Sequence, residues 1–124
     1  MKPQNVMYFT EKETAFVNLL IDIGTRKNVA QVLVFLANVS EASSRDIERG
    51  TDLRQPEVSL AMQYLIGQNW IRTRENKAEG KGRPLKIYSL SKPIDRIMNI
   101  IEKEKKEQAK EQLARVQKLR EYIP

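Results

Sequence analysis

The sequence predicts an α+β fold that is mainly helical, with a long helix at its C-terminal end. Three observations support this prediction. Apolar residues recur at spacings of three and four over most of the chain, the pattern changes to alternation near residue 70, and the helical spacing returns after Pro93. The length of 124 residues suits one domain with one modest core. We therefore expect one domain over residues 1–92 and a single long helix over residues 93–124.

The first element is a helix predicted over residues 11–23. Thr10 and Glu13 have the spacing of a capping box, in which each side chain binds a free backbone amide of the other residue. Gly24 is expected to end the helix. Its predicted inward residues are Phe16, Leu19, Leu20 and Ile23.

The second helix is predicted to begin at Asn28, as its N-cap, and to end near Asn38. It is apolar on most of its circumference, which is typical of the buried centre of a small domain. The residues that carry this pattern are Val29, Val32, Leu33, Val34, Phe35, Leu36 and Val39.

Two helices separated by a tight turn come next. Ser43 and Asp46 have a weaker capping-box spacing, and Gly50 is expected to end the short helix that they begin. Pro56 suits the first turn of the following helix, and Asn69 suits the left-handed backbone just after its last residue. The apolar stripe of this longer helix is Val58, Ala61, Met62, Leu65 and Ile66.

Two strands and a long helix complete the predicted fold. Alternating patterns predict strands over residues 70–75 and 85–90, and the residues between them are rich in glycine and positive charge. The last helix is predicted from Pro93 to about residue 122, because no glycine or proline interrupts residues 94–123.

The second half of this last helix has a narrow apolar seam. Such a seam is too narrow for burial by its own chain and normally pairs with a partner helix, so we expect a homodimer that forms through the terminal helices. A helix that stays in solvent is the alternative. The predicted dimerisation residues are Ala109, Leu113, Val116, Leu119 and Ile123.

The order of these elements points to a particular motif. The short helix and the helix after it are joined by only a few residues around 51–53, and two strands follow at once. Ile47, Leu53 and Val58 are spaced to meet in one small core. This is the architecture of a winged helix-turn-helix, here with an extra N-terminal helix and a long C-terminal one.

The sequence of this motif also resembles a known family. Residues 44–65, with Asn69-Trp-Ile and Tyr88-Ser-Leu-Ser, look like prokaryotic winged-helix transcription regulators, in particular small archaeal ones of the MarR or TrmB type. The resemblance covers about residues 28–92.

The resemblance implies a way of binding double-stranded DNA. Residues 55–68 would form the recognition helix in the major groove, and residues 76–84, the wing, would reach the flanking backbone or minor groove. The chain departs from the family pattern at Asn69, which is often glycine, and at Leu60, which is often basic.

Candidate DNA-binding residues lie at the start of the short helix, on the outward face of the recognition helix and in the wing. Glutamine can pair with adenine, serine can bind several base edges, and Leu60 either contacts a thymine methyl group or is simply an exposed leucine. Arginine and lysine at the motif edges suit phosphate contacts. The candidates are Ser44, Arg45, Arg54, Gln55, Pro56, Ser59, Leu60, Gln63, Lys77, Lys81 and Arg83.

Positive charge is concentrated in the middle of the chain. Residues 54–92 carry eight basic and three acidic residues, a net charge of +5 within a whole-chain charge of +6. A basic surface binds phosphate backbones by releasing counterions, whatever the base sequence. A surface that is basic only for solubility is the alternative.

The composition argues against an enzyme. The chain contains no cysteine and no histidine, so the usual thiolate nucleophile, general base and metal ligands are missing. We expect no cofactor and no metal. The sequence shows neither a signal peptide nor a membrane-spanning apolar run, so we expect a cytoplasmic protein.

A different function remains open at this point. The recognition helix has no lysine or arginine between Gln55 and Gln68, and winged helices also serve as protein–protein interaction modules in transcription or replication assemblies. The sequence does not indicate whether a small-molecule effector exists.

Overall fold

A computed structural model describes residues 9–76 and 84–124. It confirms a mainly helical α+β fold. The elements in these parts are α1 (Glu11–Asp22), α2 (Lys27–Ala37), β1 (Ala42–Ser43), α3 (Ser44–Thr51), α4 (Gln55–Gly67), β2 (Ile71–Asn76), β3 (Leu85–Leu90) and α5 (Ile94–Arg120). The chain divides into two compact units, Met1–Lys92 and Pro93–Pro124.

Helix α2 is the centre of the first unit, as the sequence predicts. Helices α1, α3 and α4 all pack on it. A helix that is apolar on nearly every side can be buried from several directions at once, and this one is. Its buried residues are Val29, Ala30, Val32, Leu33, Val34, Phe35 and Leu36.

Both predicted capping boxes are present. The Thr10 and Glu13 pair makes two hydrogen bonds, of 2.8 and 3.1 Å, at the start of α1. Ser43 and Asp46 make the same pair at the start of α3, at 3.0 and 3.2 Å. Asn69 takes the predicted left-handed backbone, with a φ of 64°.

Two predicted helix boundaries are wrong. Helix α2 begins at Lys27, so Asn28 lies inside it; the Asn28 side chain donates instead to the backbone carbonyl of Glu57, at 3.0 Å. Helix α3 continues through Gly50 to Thr51, and Asp52, with a φ of 59°, makes the left-handed turn. Gly50 is buried against the Phe35 ring, so packing rather than helix termination requires a glycine there.

The predicted inward face of α1 is partly wrong. Val17 and Leu20 are its buried residues, whereas Leu19 is 64% and Ile23 42% exposed. The helix has apolar residues on more than one face, so periodicity alone does not decide which stripe packs on α2. Ala15 and Leu19 of α1 and its C-cap residue Ile23, spaced four residues apart, therefore form an exposed stripe.

The three strands form one antiparallel sheet in the order β1-β3-β2. Ile71 pairs with Leu90 and Asn76 with Leu85, close to the predicted strands. The sequence pattern does not predict β1, whose two residues pair with Tyr88 and Ile87 of β3. A strand of two residues is too short to show an alternating pattern.

Helix α5 forms the second unit and has the predicted continuity. It contains 27 residues, which corresponds to about 40 Å at the rise of an α-helix. None of the helices in residues 9–76 and 84–124 is long and apolar enough to cross a membrane.

Candidate nucleic-acid interface

The turn between α3 and α4 is fixed by short-range hydrogen bonds. The Thr51 hydroxyl donates to the carbonyl of Ile47 at 2.7 Å and accepts from the amide of Leu53 at 3.3 Å. At the start of α4, the Glu57 carboxylate accepts from the backbone amide of Arg54 at 2.9 Å. Because Glu57 caps its own helix, we assign it no base contact.

Helix α4 turns its apolar side to the core and a mixed side to solvent. Its buried residues are Val58, Ala61, Met62 and Leu65. The opposite line of the helix, at spacings of four, three and four, is Pro56, Leu60, Gln63 and Gly67, and all four residues are exposed. Leu60 is 58% exposed and lies on this line, as predicted.

A groove of about 250 Å³ runs along one flank of α4, and we call it the α3–α4 groove. It brings together four of the predicted DNA-binding residues, two from hydroxyl and two from amide side chains. The helical spacing predicts Ile66 as part of the inward stripe of α4, but this residue is 43% exposed and lines the α3–α4 groove. The polar lining residues are Ser44, Glu48, Gln55, Ser59, Gln63 and Tyr88.

A second groove, of about 500 Å³, lies on the other flank of α4, and we call it the α2–α4 groove. The Asn28 to Glu57 hydrogen bond crosses it. One of its residues, Gln31, has a buried side-chain oxygen that finds no hydrogen-bond partner among the described atoms. The lining residues are Lys27, Asn28, Gln31, Thr51, Asp52, Leu53 and Glu57.

Two of the five predicted phosphate-binding residues lie in the part of the chain that the structure describes. Arg45, in the first turn of α3, and Arg54, the N-cap of α4, are both exposed. Neither forms an ion pair with any residue in the described ranges. The predictions for Lys77, Lys81 and Arg83 lie outside the described residues.

Sequence reasoning missed three residues beside this site. Lys27 is exposed at the start of α2 and lines the α2–α4 groove with Glu57, Arg26 is the exposed N-cap residue just before it, and Tyr88 lines the α3–α4 groove from β3. The residues around each of them in the sequence form no pattern that predicts a role in this site. Contacts between distant segments bring α2 and β3 next to α4.

One cation of the basic middle region is already paired. The Arg74 guanidinium makes two hydrogen bonds to the Glu41 carboxylate, at 2.7 and 2.9 Å. These bonds lower the pKa of Glu41 and raise the pKa of Arg74, with the charge attraction acting in the same direction. Both side chains are about half exposed, so the pair links β2 to the segment before β1 at the surface.

Four of the predicted dimerisation residues form an exposed stripe on α5, and the fifth, Ile123, lies three residues after its end at Arg120. Each of them is exposed, and the largest fractions are 70% for Ile123 and 66% for Leu113. Tyr122, which is 83% exposed, lies beside Leu119 and widens the stripe on one side. An exposed apolar stripe of this kind is typical of an interaction surface.

Carboxylates do not gather anywhere in the described residues into a group of three or more that could hold a metal ion. The α3–α4 groove combines the hydroxyl groups of two serines and a tyrosine, the amide groups of two glutamines and the carboxylate of Glu48, and such groups can form hydrogen bonds.

No protein-family model and no curated protein sequence matches this chain. Its fold, however, is found in solved structures. A protein from Methanosarcina mazei Go1, described as a "possible transcriptional regulator", has a TM-score of 0.63 at 17% identity, covering 98% of this chain and 100% of that one.

Two further solved structures are similar. A MarR family regulator from Neisseria meningitidis has a TM-score of 0.51 at 17% identity, covering 87% of this chain and 84% of that one. Another transcriptional regulator has a TM-score of 0.51 at 16% identity, covering 92% and 91%. At identities this low, the structural similarity shows the fold alone. The chain therefore has the winged-helix fold of MarR-type regulators.

Proposed function

We propose that the protein is a homodimeric transcription regulator that binds double-stranded DNA with some sequence preference. Helix α4 would enter the major groove, and the wing would contact the flanking backbone or minor groove. The observation that carries this proposal is the α3–α4 groove, where Ser44, Gln55, Ser59 and Gln63 meet beside the exposed line of α4. This function needs no cofactor and no catalytic residue.

The groups around α4 suggest how the contacts divide. Gln55 and Gln63 can each bind the major-groove edge of an adenine, and Leu60 can contact a thymine methyl group. Helix α4 itself carries no lysine or arginine. We infer that Arg45 and Arg54, with the wing cations, supply most of the affinity through phosphate contacts.

The second half of the proposal is dimerisation through the terminal helices. The partner that we propose is a second copy of the chain, because each copy would bring the exposed apolar stripe of α5. A two-fold dimer uses the same surface of both copies, so the α5 stripe of one copy would cover that of the other. Residues 1–92 would then be the DNA-binding domain and residues 93–124 the dimerisation helix.

The deciding experiment is selection of bound duplexes from a random DNA pool at a fixed, low salt concentration. We expect an enriched, inverted-repeat site with half-sites about 34 Å apart or a multiple of this, because the two recognition helices would follow the symmetry of the dimer. Affinity should fall steeply as salt is added. No binding to any duplex at low salt would refute the proposal.

Two substitutions test the division of labour between base and phosphate contacts. Gln63→Ala should cost about 1–3 kcal/mol on the selected site and little on a random duplex. Arg45→Ala should weaken binding to both duplexes about equally. If both variants lose the same factor on both duplexes, the assignment of Gln63 to a base is wrong.

A protein partner is the alternative, and one observation favours it. Leu60 and Tyr64, one helical turn apart on α4, are 58% and 46% exposed and would suit an apolar contact. This alternative predicts that a defined protein co-purifies with the chain while the duplex selection fails. Substituting Leu60→Asp would then abolish co-purification.

A further inference from the structure

We propose that Arg26 and Lys27 bind the phosphate backbone of the DNA strand that lies across the major groove from Arg45. This inference rests on the proposed function and adds a contact on the flank of α4 that faces α2. The evidence for the inference is the position, the charge and the exposure of these two side chains.

The position of Lys27 is set by a contact between distant parts of the chain. The Asn28 amide group donates to the backbone carbonyl of Glu57 at 3.0 Å, which holds the start of α2 against the first turn of α4. Lys27 and Glu57 line the same α2–α4 groove. Arg26 is the N-cap of α2 and therefore lies directly beside Lys27.

The two grooves lie on opposite flanks of α4. The α3–α4 groove contains Ser59 of α4 and Ser44 of α3, the neighbour of Arg45, whereas the α2–α4 groove contains Glu57 of α4 and Lys27 of α2. An α-helix with its side chains is about 10–12 Å across, close to the width of the major groove, about 12 Å. A helix in that groove therefore has one backbone strand on each flank, Arg45 facing one and Arg26 with Lys27 facing the other.

Both cations are available for a phosphate. Arg26 and Lys27 are exposed, and neither forms an ion pair with another residue in the described ranges. The acidic groups on this flank are Asp52 and Glu57, and the Glu57 carboxylate already accepts from the amide of Arg54. Arg26, Lys27 and Arg54 thus carry three positive charges on this flank. Asp52 and Glu57 carry two negative charges, so the net charge is +1.

The test measures how DNA affinity depends on salt. The double variant Arg26→Gln/Lys27→Gln is compared with wild type by fluorescence anisotropy on a labelled random duplex, from roughly 50 to 200 mM salt. The matched control, Lys12→Gln/Lys103→Gln, also removes two exposed cations, one from α1 and one from α5. Circular dichroism would check that all three proteins are folded.

The proposal predicts a change in slope. Each phosphate contact contributes about 0.9 to the slope of log affinity against log salt, so the double variant should lose about two per bound protein copy. At roughly 0.1 M salt, its affinity should fall about tenfold or more. The control should keep the wild-type slope.

The outcomes separate this inference from the proposed function. If wild type binds and the double variant matches the control in slope, Arg26 and Lys27 make no phosphate contact and the inference is wrong, while DNA binding stands. If wild type itself binds no duplex at low salt, the proposed function fails and the inference fails with it.

Discussion

Two glycines in the helix-turn-helix should respond to alanine in opposite ways. Gly50, in α3, is buried, and a Cβ added there would lie 2.7 Å from Cδ1 and 2.8 Å from Cζ of Phe35, closer than carbon atoms pack. Phe35 is itself only 5% exposed, so its ring cannot simply swing into solvent. Gly67, the last residue of α4, has no atom within 4 Å of an added Cβ.

The expected energies follow from these surroundings. Forcing an extra carbon into a packed core costs about 1–3 kcal/mol, and several ring atoms overlap here, so we take the upper end of that range. The better helix propensity of alanine returns up to about 1 kcal/mol. Gly50→Ala should therefore destabilise the protein by about 2 kcal/mol, and Gly67→Ala should stabilise it by up to about 1 kcal/mol.

Urea unfolding followed by circular dichroism measures both effects. Protein concentration must be the same for all variants, since dimerisation would make the stability depend on it. A third variant identifies the cause: in a Phe35→Leu background, Gly50→Ala should cost less, because the smaller side chain leaves room for the new carbon. If Gly50→Ala is as stable as wild type, or its cost is unchanged by Phe35→Leu, the reasoning about this contact is wrong.

Two further predictions concern the Glu41 and Arg74 pair and the α5 stripe. The Glu41 pKa, measured by NMR titration, should lie below its ordinary value of 4.5 and should return towards it in Arg74→Gln, because the hydrogen bond from Arg74 favours the charged carboxylate. The pair therefore adds stability above the unfolded pKa of Glu41, and this stability is lost as pH falls through the lowered folded pKa; an unshifted pKa would contradict the pairing. Leu113→Glu should turn the proposed dimer into a monomer in sedimentation experiments, whereas Gln112→Glu, an exposed neighbour with the same added charge, should not. A dimer that survives Leu113→Glu would show that the stripe is not the interface.

Features that depend on residues close together in the sequence could be predicted. The two capping boxes join residues three positions apart, so the spacing of Ser43 and Asp46 was enough to locate the start of α3. The left-handed residue Asn69 likewise follows from one residue type at a helix end.

Features that depend on contacts between distant segments could not be predicted. Gly50 fits a helix end by its type, but the Phe35 ring from α2 explains why glycine is needed there. Asn28 has a residue type that is common at N-caps, but its side chain donates to the backbone carbonyl of Glu57, which is 29 residues away in sequence. The residues that flank Gly50 and Asn28 in the sequence do not indicate that Phe35 and Glu57 are their partners.

The candidate site shows the same division. The outward residues of α4 follow from helical spacing, so Leu60 and Gln63 were identified correctly as exposed. Which segments flank α4 is a question of tertiary structure. For that reason Tyr88 and Lys27 entered the site only with the fold.

Ser43 takes part in two structures at once. As the last residue of β1, it pairs with Ile87 of β3, and its hydroxyl caps α3 through the amide of Asp46. Ser43 thus connects β3, the strand that follows the wing, to α3, the helix that precedes α4. In the complex with DNA that we propose, β3 and α4 would keep the arrangement that they already have, so little conformational entropy would be lost in fixing the distance between them. A change that loosened Ser43 would weaken binding chiefly through that entropy, without removing any contact to the DNA.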